Sequence, residues 1–250
     1  MRLTIVSTVI VLVAALNARA DLTIKMDLNA VSNGQAHTAH MTTSIKGNKV
    51  CSQTAIDPPP NLPPAIAAQV SASMQETLII DTQTGQSVML FPARKMKMTR
   101  STTLPSNAQA SAPTFTATGK TDTIDGHSVA EYSAHEPNFL LSIWTAKDYP
   151  NADAIRADMK TMMASARTQQ FPTMEQVPGV PLKIELKSSP NAMMQMDMSM
   201  VVSSISTDPV SDDLFTIPDD YQEMPQGGFG MPQQGGPGMT PPPPPPPGPQ

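Results

Sequence analysis

Between Asp21 and Tyr221 the chain alternates apolar and polar residues with a period of two. Leu22, Ile24, Met26 and Leu28 alternate with Thr23, Lys25 and Asp27, which is the pattern of a half-buried strand. Asn33-Gly34 follows as a hairpin signal, because both residues tolerate the positive φ that a tight turn needs. Strands are predicted over His37–Lys46 and Lys49–Ile56, joined at Gly47-Asn48, and then over Thr77–Asp81, Ser87–Phe91 and Lys95–Thr99. The proline-rich stretch Asp57–Pro64 cannot lie inside a sheet. Asp125-Gly126 turns Thr114–Lys120 back onto His127–Ser133. Phe139–Ala146 is apolar almost throughout, as in a strand buried on both faces. Leu182, Ile184 and Leu186 alternate with lysine and glutamate, and Met193–Ile205 is the last long strand. One segment breaks the period. In Asn151–Thr168, Ile155, Met159, Met162 and Ala166 fall on one helical face, Asn151 can cap the start, and Asp153 suits the positive end of the helix dipole. The expected fold is mainly β: a curved antiparallel open half-barrel of ten or eleven strands with one inserted amphipathic helix, because a sheet of that size curls rather than staying flat.

The two ends read differently. Met1–Ala20 has a basic start at Arg2, an apolar run and the small-x-small sequence Ala18-Arg19-Ala20, the pattern of a secretory signal peptide cleaved before Asp21. From Gln222 to Gln250 there are 11 of the chain's 27 prolines and 7 of its 13 glycines, ending in the seven prolines Pro241–Pro247. That composition favours solvated polyproline II and flexible steps, with nothing to bury. The organisation expected is therefore a signal peptide over 1–20, a β domain over 21–221 and a disordered tail over 222–250, in an exported protein that is periplasmic or secreted.

Composition excludes several classes. The 250 residues carry net charge −5 with no basic run, which argues against a nucleic-acid partner. A single cysteine, Cys51, precludes an internal disulfide framework. It lies in an alternating strand and reads as a small buried hydrophobe. No hydrolase elbow, zinc-protease motif or phosphate loop is present, since Gly227-Gly228-Phe229-Gly230 sits in the tail. No enzyme activity and no cofactor are expected.

Three stretches resemble a group of uncharacterised exported bacterial proteins whose fold is similar to the periplasmic lipoprotein carriers (LolA/LolB-like). They are Ile79-Ile80-Asp81 with Thr84-Gly85-Gln86 and Phe91-Pro92-Ala93-Arg94-Lys95-Met96, then Thr123-Ile124-Asp125-Gly126-His127 leading to Tyr132 and Trp144, and finally Leu214-Phe215-Thr216-Ile217-Pro218-Asp219-Asp220-Tyr221. The resemblance implies an open antiparallel barrel whose concave face is apolar and covered by helix; in the carriers that cavity shelters acyl chains.

The candidate chemistry lies in methionine, of which there are 19. Met194, Met196, Met198 and Met200 occupy alternate positions and share one face of a strand. Met96 and Met98 repeat the pattern. Thioether side chains fill irregular cores, form deformable apolar surfaces, or ligate soft metals such as Cu(I). With Trp144 and the helix residues Ile155, Met159 and Met162, these methionines are the expected lining of an apolar cavity. His37 and His40, three apart on a strand, fall on opposite faces and do not form a chelating pair. The leading expectation is a non-enzymatic binding protein for a lipid or other apolar small molecule. The alternatives are an envelope structural or interaction protein with a packed core, reaching a protein partner through the proline-rich tail, and a periplasmic copper or silver binder.

Overall fold

A computed structural model describes residues 21–224 apart from 33, 102–112, 167–175, 190–191 and 193–194, and apart from the side chains of 161–166. The signal peptide expected over 1–20 and the tail from 225 onward lie outside the described residues.

The strands are β1 (Leu22–Ser32), β2 (Gln35–Lys46), β3 (Lys49–Ile56), β4 (Glu76–Asp81), β5 (Gln86–Phe91) and β6 (Met96–Ser101), then β7 (Thr116–Ile124), β8 (His127–His135), β9 (Phe139–Ala146), β10 (Val180–Ser188), β11 (Met196–Ser206) and β12 (Gln222–Glu223). They form one sheet in the order β12-β6-β5-β4-β3-β2-β1-β11-β10-β9-β8-β7. Every pairing is antiparallel except β12 on β6. Two meanders, β1–β6 and β7–β11, are joined where β1 pairs with β11, and the sheet is not closed into a barrel.

Among the described residues there are twelve strands, against the ten or so expected, and two α-helices rather than one, α1 (Pro64–Ser73) and α2 (Ala152–Ala166). Pro64 occupies the first turn of α1, where its missing N–H costs nothing, and an alanine-rich stretch carries the helix on. No residue of α1 is buried, so it has no apolar stripe for periodicity to detect. The sheet also runs past Tyr221. Gln222 donates its N–H to Lys95 O and Met224 donates to Lys97 O, and Met224 is buried.

The two faces of the sheet are covered by different segments. On one face α2 sets Ile155 and Met159 against Leu22, Ile24, Ile45, Val50 and Ile80. On the other, the stretch after β11 lays Val210, Leu214, Phe215 and Ile217 over Cys51, Ile79, Val88 and Leu90. That strap is tied down where Val210 N–H donates to Asp21 at 2.7 Å, Lys46 Nζ donates to Val210 O at 2.9 Å, and Lys95 pairs with Asp220.

The outer strand β7 carries almost only exposed side chains. Its register breaks between Ala117 and Thr121, around Gly119 at φ +80°, an irregularity of the kind that blunts an open edge. Buried Glu131 of β8 holds the break in place, accepting from Thr118 Oγ1 at 2.8 Å and pairing with Lys120 Nζ at 3.0 Å. Burial alone would raise the Glu131 pKa, but the hydrogen bonds from Thr118, Lys120 and Ser142 outweigh it and hold the carboxyl below its ordinary value. A carboxyl held low stabilises the fold above its ordinary pKa, and that support is lost as pH falls through the lowered value.

Candidate functional site: the methionine face of the sheet

The ladders place the methionines. Met98 stands opposite Met89, and Met89 opposite Leu78. Met26 stands opposite Met41, and on the other side of β1 Met200 stands opposite Leu28, Met198 opposite Ala30 and Met196 opposite Ser32. Directly opposed residues share a face, and residues two apart on one strand do so too. Met26, Met41, Met89, Met96, Met98, Met196, Met198 and Met200 therefore all stand on the face that α2 covers at one end. Around them lie Leu28, Leu78, Ile184 and Leu186.

Burial grades along this face. Met26 and Met200 are buried, Met41, Met89, Met96, Met98 and Met198 are half-buried, and Met196 is 38% exposed. Among the described residues, α2 covers the end holding Leu22 and Ile24 and leaves the opposite strand ends open. The open surface sets methionines among polar neighbours, with His37 opposite Ala30, Thr54 opposite Met41 and Glu76 opposite Thr54, and its polarisable thioethers suit irregular apolar partners.

Of the residues expected to line a cavity, Ile155, Met159 and Trp144 meet in the cluster beneath α2. Trp144 is buried, its indole N–H donates to Glu185 Oε2 at 3.3 Å, and the Lys183 ammonium lies 5.6 Å from the ring centroid. Met196, Met198 and Met200 share the face with Met96 and Met98 but not the place. Six strand spacings separate β6 from β11, about 29 Å on a flat sheet. Met194 and the Met162 side chain lie outside the described residues. Met26, Met41 and Met89 belong to the face and were not singled out from sequence. Their alternation was visible, but their alignment with the other methionines depends on strand register, which a single sequence does not carry.

The opposite face is polar near the far ends of β1–β4. A cleft of about 370 Å³ opens there, lined among others by His40, Thr42, Gln53, Gln75, Glu76 and Thr77. A second, of about 190 Å³, lies at the start of α2 between His127, Tyr149, Ile155 and Ile205. Neither is lined by a methionine. His40 is opposite Asp27 in the ladder, and His37 opposite Ala30, so the two histidines do face opposite ways. His40 Nδ1 is 2.7 Å from Asp27 Oδ1, and Nε2 is 3.5 Å from Asp57 Oδ2. The hydrogen bond to Asp27 raises the His40 pKa, with the charges of Asp57 and Asp27 adding to it against a smaller desolvation cost. A raised histidine pKa stabilises the fold fully below the ordinary value and ceases to do so as pH rises through the raised one. Ring-proton NMR should thus find His40 titrating above an ordinary histidine, and Asp27→Asn should bring its midpoint down; an unmoved midpoint would refute the pairing. Burial pushes the Cys51 thiol pKa up, which leaves little nucleophilic thiolate at neutral pH.

A family model for a domain of unknown function, DUF4412, matches residues 24–221. The chain belongs to that family. Among solved structures, the DUF4412 domain is similar to MucB of Pseudomonas aeruginosa, solved with MucA, at 10% identity over 82% of this chain and 59% of that one, with a TM-score of 0.41. It is also similar to a domain of Vibrio parahaemolyticus assigned to outer membrane lipoprotein sorting, at 11% identity over 78% and 89% of the two chains, with a TM-score of 0.33. PNGF-II matches at 14% identity and a TM-score of 0.36; 81% of this chain aligns with it, spanning 31% of that chain. No curated protein matches the DUF4412 chain. Among the described residues, no helix is long and apolar enough to cross a membrane.

Proposed function

We propose that this protein is an exported, non-enzymatic binding protein that holds a lipid or other apolar ligand against the methionine face. The observation that carries the reading is the unfinished burial of that face. Met89, Met96, Met98 and Met198 remain half-buried and Met196 exposed, on a face that they share with Leu28, Leu78, Ile184 and Leu186. Apolar side chains left open to water on one face of a domain are a feature of binding surfaces. Export rests on the signal-peptide pattern ending at Ala18-Arg19-Ala20.

We further infer that the sheet curls into an open half-barrel with this face inside. Topology supports it. β6 and β7 are consecutive in the chain but ten strand spacings apart, about 48 Å on a flat sheet. Only residues 102–115 connect them, and a stretch of that length reaches about 50 Å when fully extended. Curling relieves that demand by bringing the outer strands closer together.

The test is a pair of double variants. Met196→Leu with Met198→Leu preserves volume and should cost less than about 1.5 kcal/mol per site, leaving uptake of the neutral apolar fluorophore N-phenyl-1-naphthylamine intact. Met196→Gln with Met198→Gln puts two amides where an apolar ligand would strip their water, and should weaken uptake by about tenfold. Equal uptake by the glutamine pair, or none by the unaltered protein, would refute the reading.

A further inference from the structure

The segment beyond Met224 leaves the fold beside the methionine face. β12 runs parallel to β6, with Gln222 opposite Met96 and Glu223 opposite Lys97. Glu223 fastens it there, accepting from the Thr99 N–H at 2.8 Å and from Thr99 Oγ1 at 3.3 Å. Continuing the alternation sets Met224 on the Met96 and Met98 side, and Met224 is buried, only 9% exposed. The last described residue thus stands at the edge of the sheet, with its side chain on the methionine side.

The residues that follow suit that surface. Pro225–Gln250 contains no charged side chain, and its large apolar side chains are Phe229, Met231 and Met239. Phe229 lies five residues beyond Met224, within about 17 Å of it along an extended chain. Met98, Met89 and Leu78 stand on the three successive strands β6, β5 and β4, a span of about 10 Å. Gly227, Gly228 and Gly230 flank Phe229, and glycine adopts whatever backbone angles a close approach to the sheet requires.

We propose that the segment after Met224 docks on its own methionine face, with Phe229 and Met231 as the anchors over Met98, Met89 and Leu78. This rests on the reading of that face as an apolar binding surface. The docked segment occupies the β4–β6 part of the face, four to six strand spacings from Met196 and Met198, so it competes with ligand that reaches Met98, Met89 and Leu78, and the apparent affinity there falls by the fraction of molecules in which that part is free. The tether supplies a high effective concentration, so weak contacts suffice.

The experiment titrates N-phenyl-1-naphthylamine into three forms: the full chain, a chain ending at Met224 so that β12 is kept, and a full-length Phe229→Asp, Met231→Asp variant. Both altered forms should bind the fluorophore about 3- to 10-fold more tightly than the full chain. A synthetic peptide of residues 225–250, added to the truncated chain, should compete with the fluorophore. Benzoylphenylalanine placed at position 229 should crosslink within the same chain to the Met89 or Met98 region, a readout independent of ligand affinity. Equal affinity in all three forms, or crosslinks only between chains, would overturn the docking and leave the binding face standing. No fluorophore binding by any form would overturn both.

Discussion

Replacing Gly179 with alanine should destabilise the fold by about 3 kcal/mol or more, from backbone strain plus overpacking. Gly179 sits just before β10 at φ +90°, a conformation that L-residues avoid. The surroundings are also closed. A Cβ at this position would lie 2.5 Å from the Ala146 carbonyl oxygen and 2.8 Å from its carbon. Those are backbone atoms of β9, where Val180 pairs with Ala146, so neither side can give way without breaking the ladder. At about 2–4 °C per kcal/mol for a domain of this size, the thermal midpoint should drop by roughly 10 °C. Gly47→Ala is the control. Its φ is +58° but nothing lies within 4 Å of its Cβ position, so it should lose only the backbone part. Equal losses at the two glycines would show that strain, not the contact with β9, sets the cost at Gly179.

Ile24→Ala should cost about 2–5 kcal/mol. Ile24 is fully buried beneath α2, opposite Thr43 on β2 and Ile205 on β11. It stands where the two meanders join, so the void left by its side chain is walled by strands of both and has little room to collapse. Urea unfolding should show a lower midpoint with an unchanged slope, since the exposed area on unfolding barely alters. Met198→Ala on the half-buried part of the same face should cost much less, because solvent fills the space. A loss at Met198 as large as that at Ile24 would show that the whole methionine face is packed core and would undercut its role as a binding surface.

The sequence reached far into the local structure. The alternation of Leu22, Ile24 and Met26, the turns at Gly47-Asn48 and Asp125-Gly126, and the helix through Ile155 and Met159 are all present where side-chain period and turn chemistry put them. Each is a property of adjacent residues. α1 escaped because its sequence has high helix propensity but no buried stripe. β12 escaped because two residues carry no period at all.

The candidate site divides along the same line. That Met196, Met198 and Met200 share a face follows from a strand's two-residue repeat and needs no structure. Which methionines join them was decided by register and strand order. β1 pairs with β11 across more than 160 residues of sequence, and that single junction sets both meanders' apolar sides on one surface. It also spreads Met96 and Met98 to the far side of the sheet from Met198. Local sequence specifies the period because neighbouring side chains alternate by covalent geometry. Long-range pairing is specified by the summed burial of whole strands, so the extent of the methionine face, and the place beside it where the proline-rich segment departs, are decided only in the folded chain.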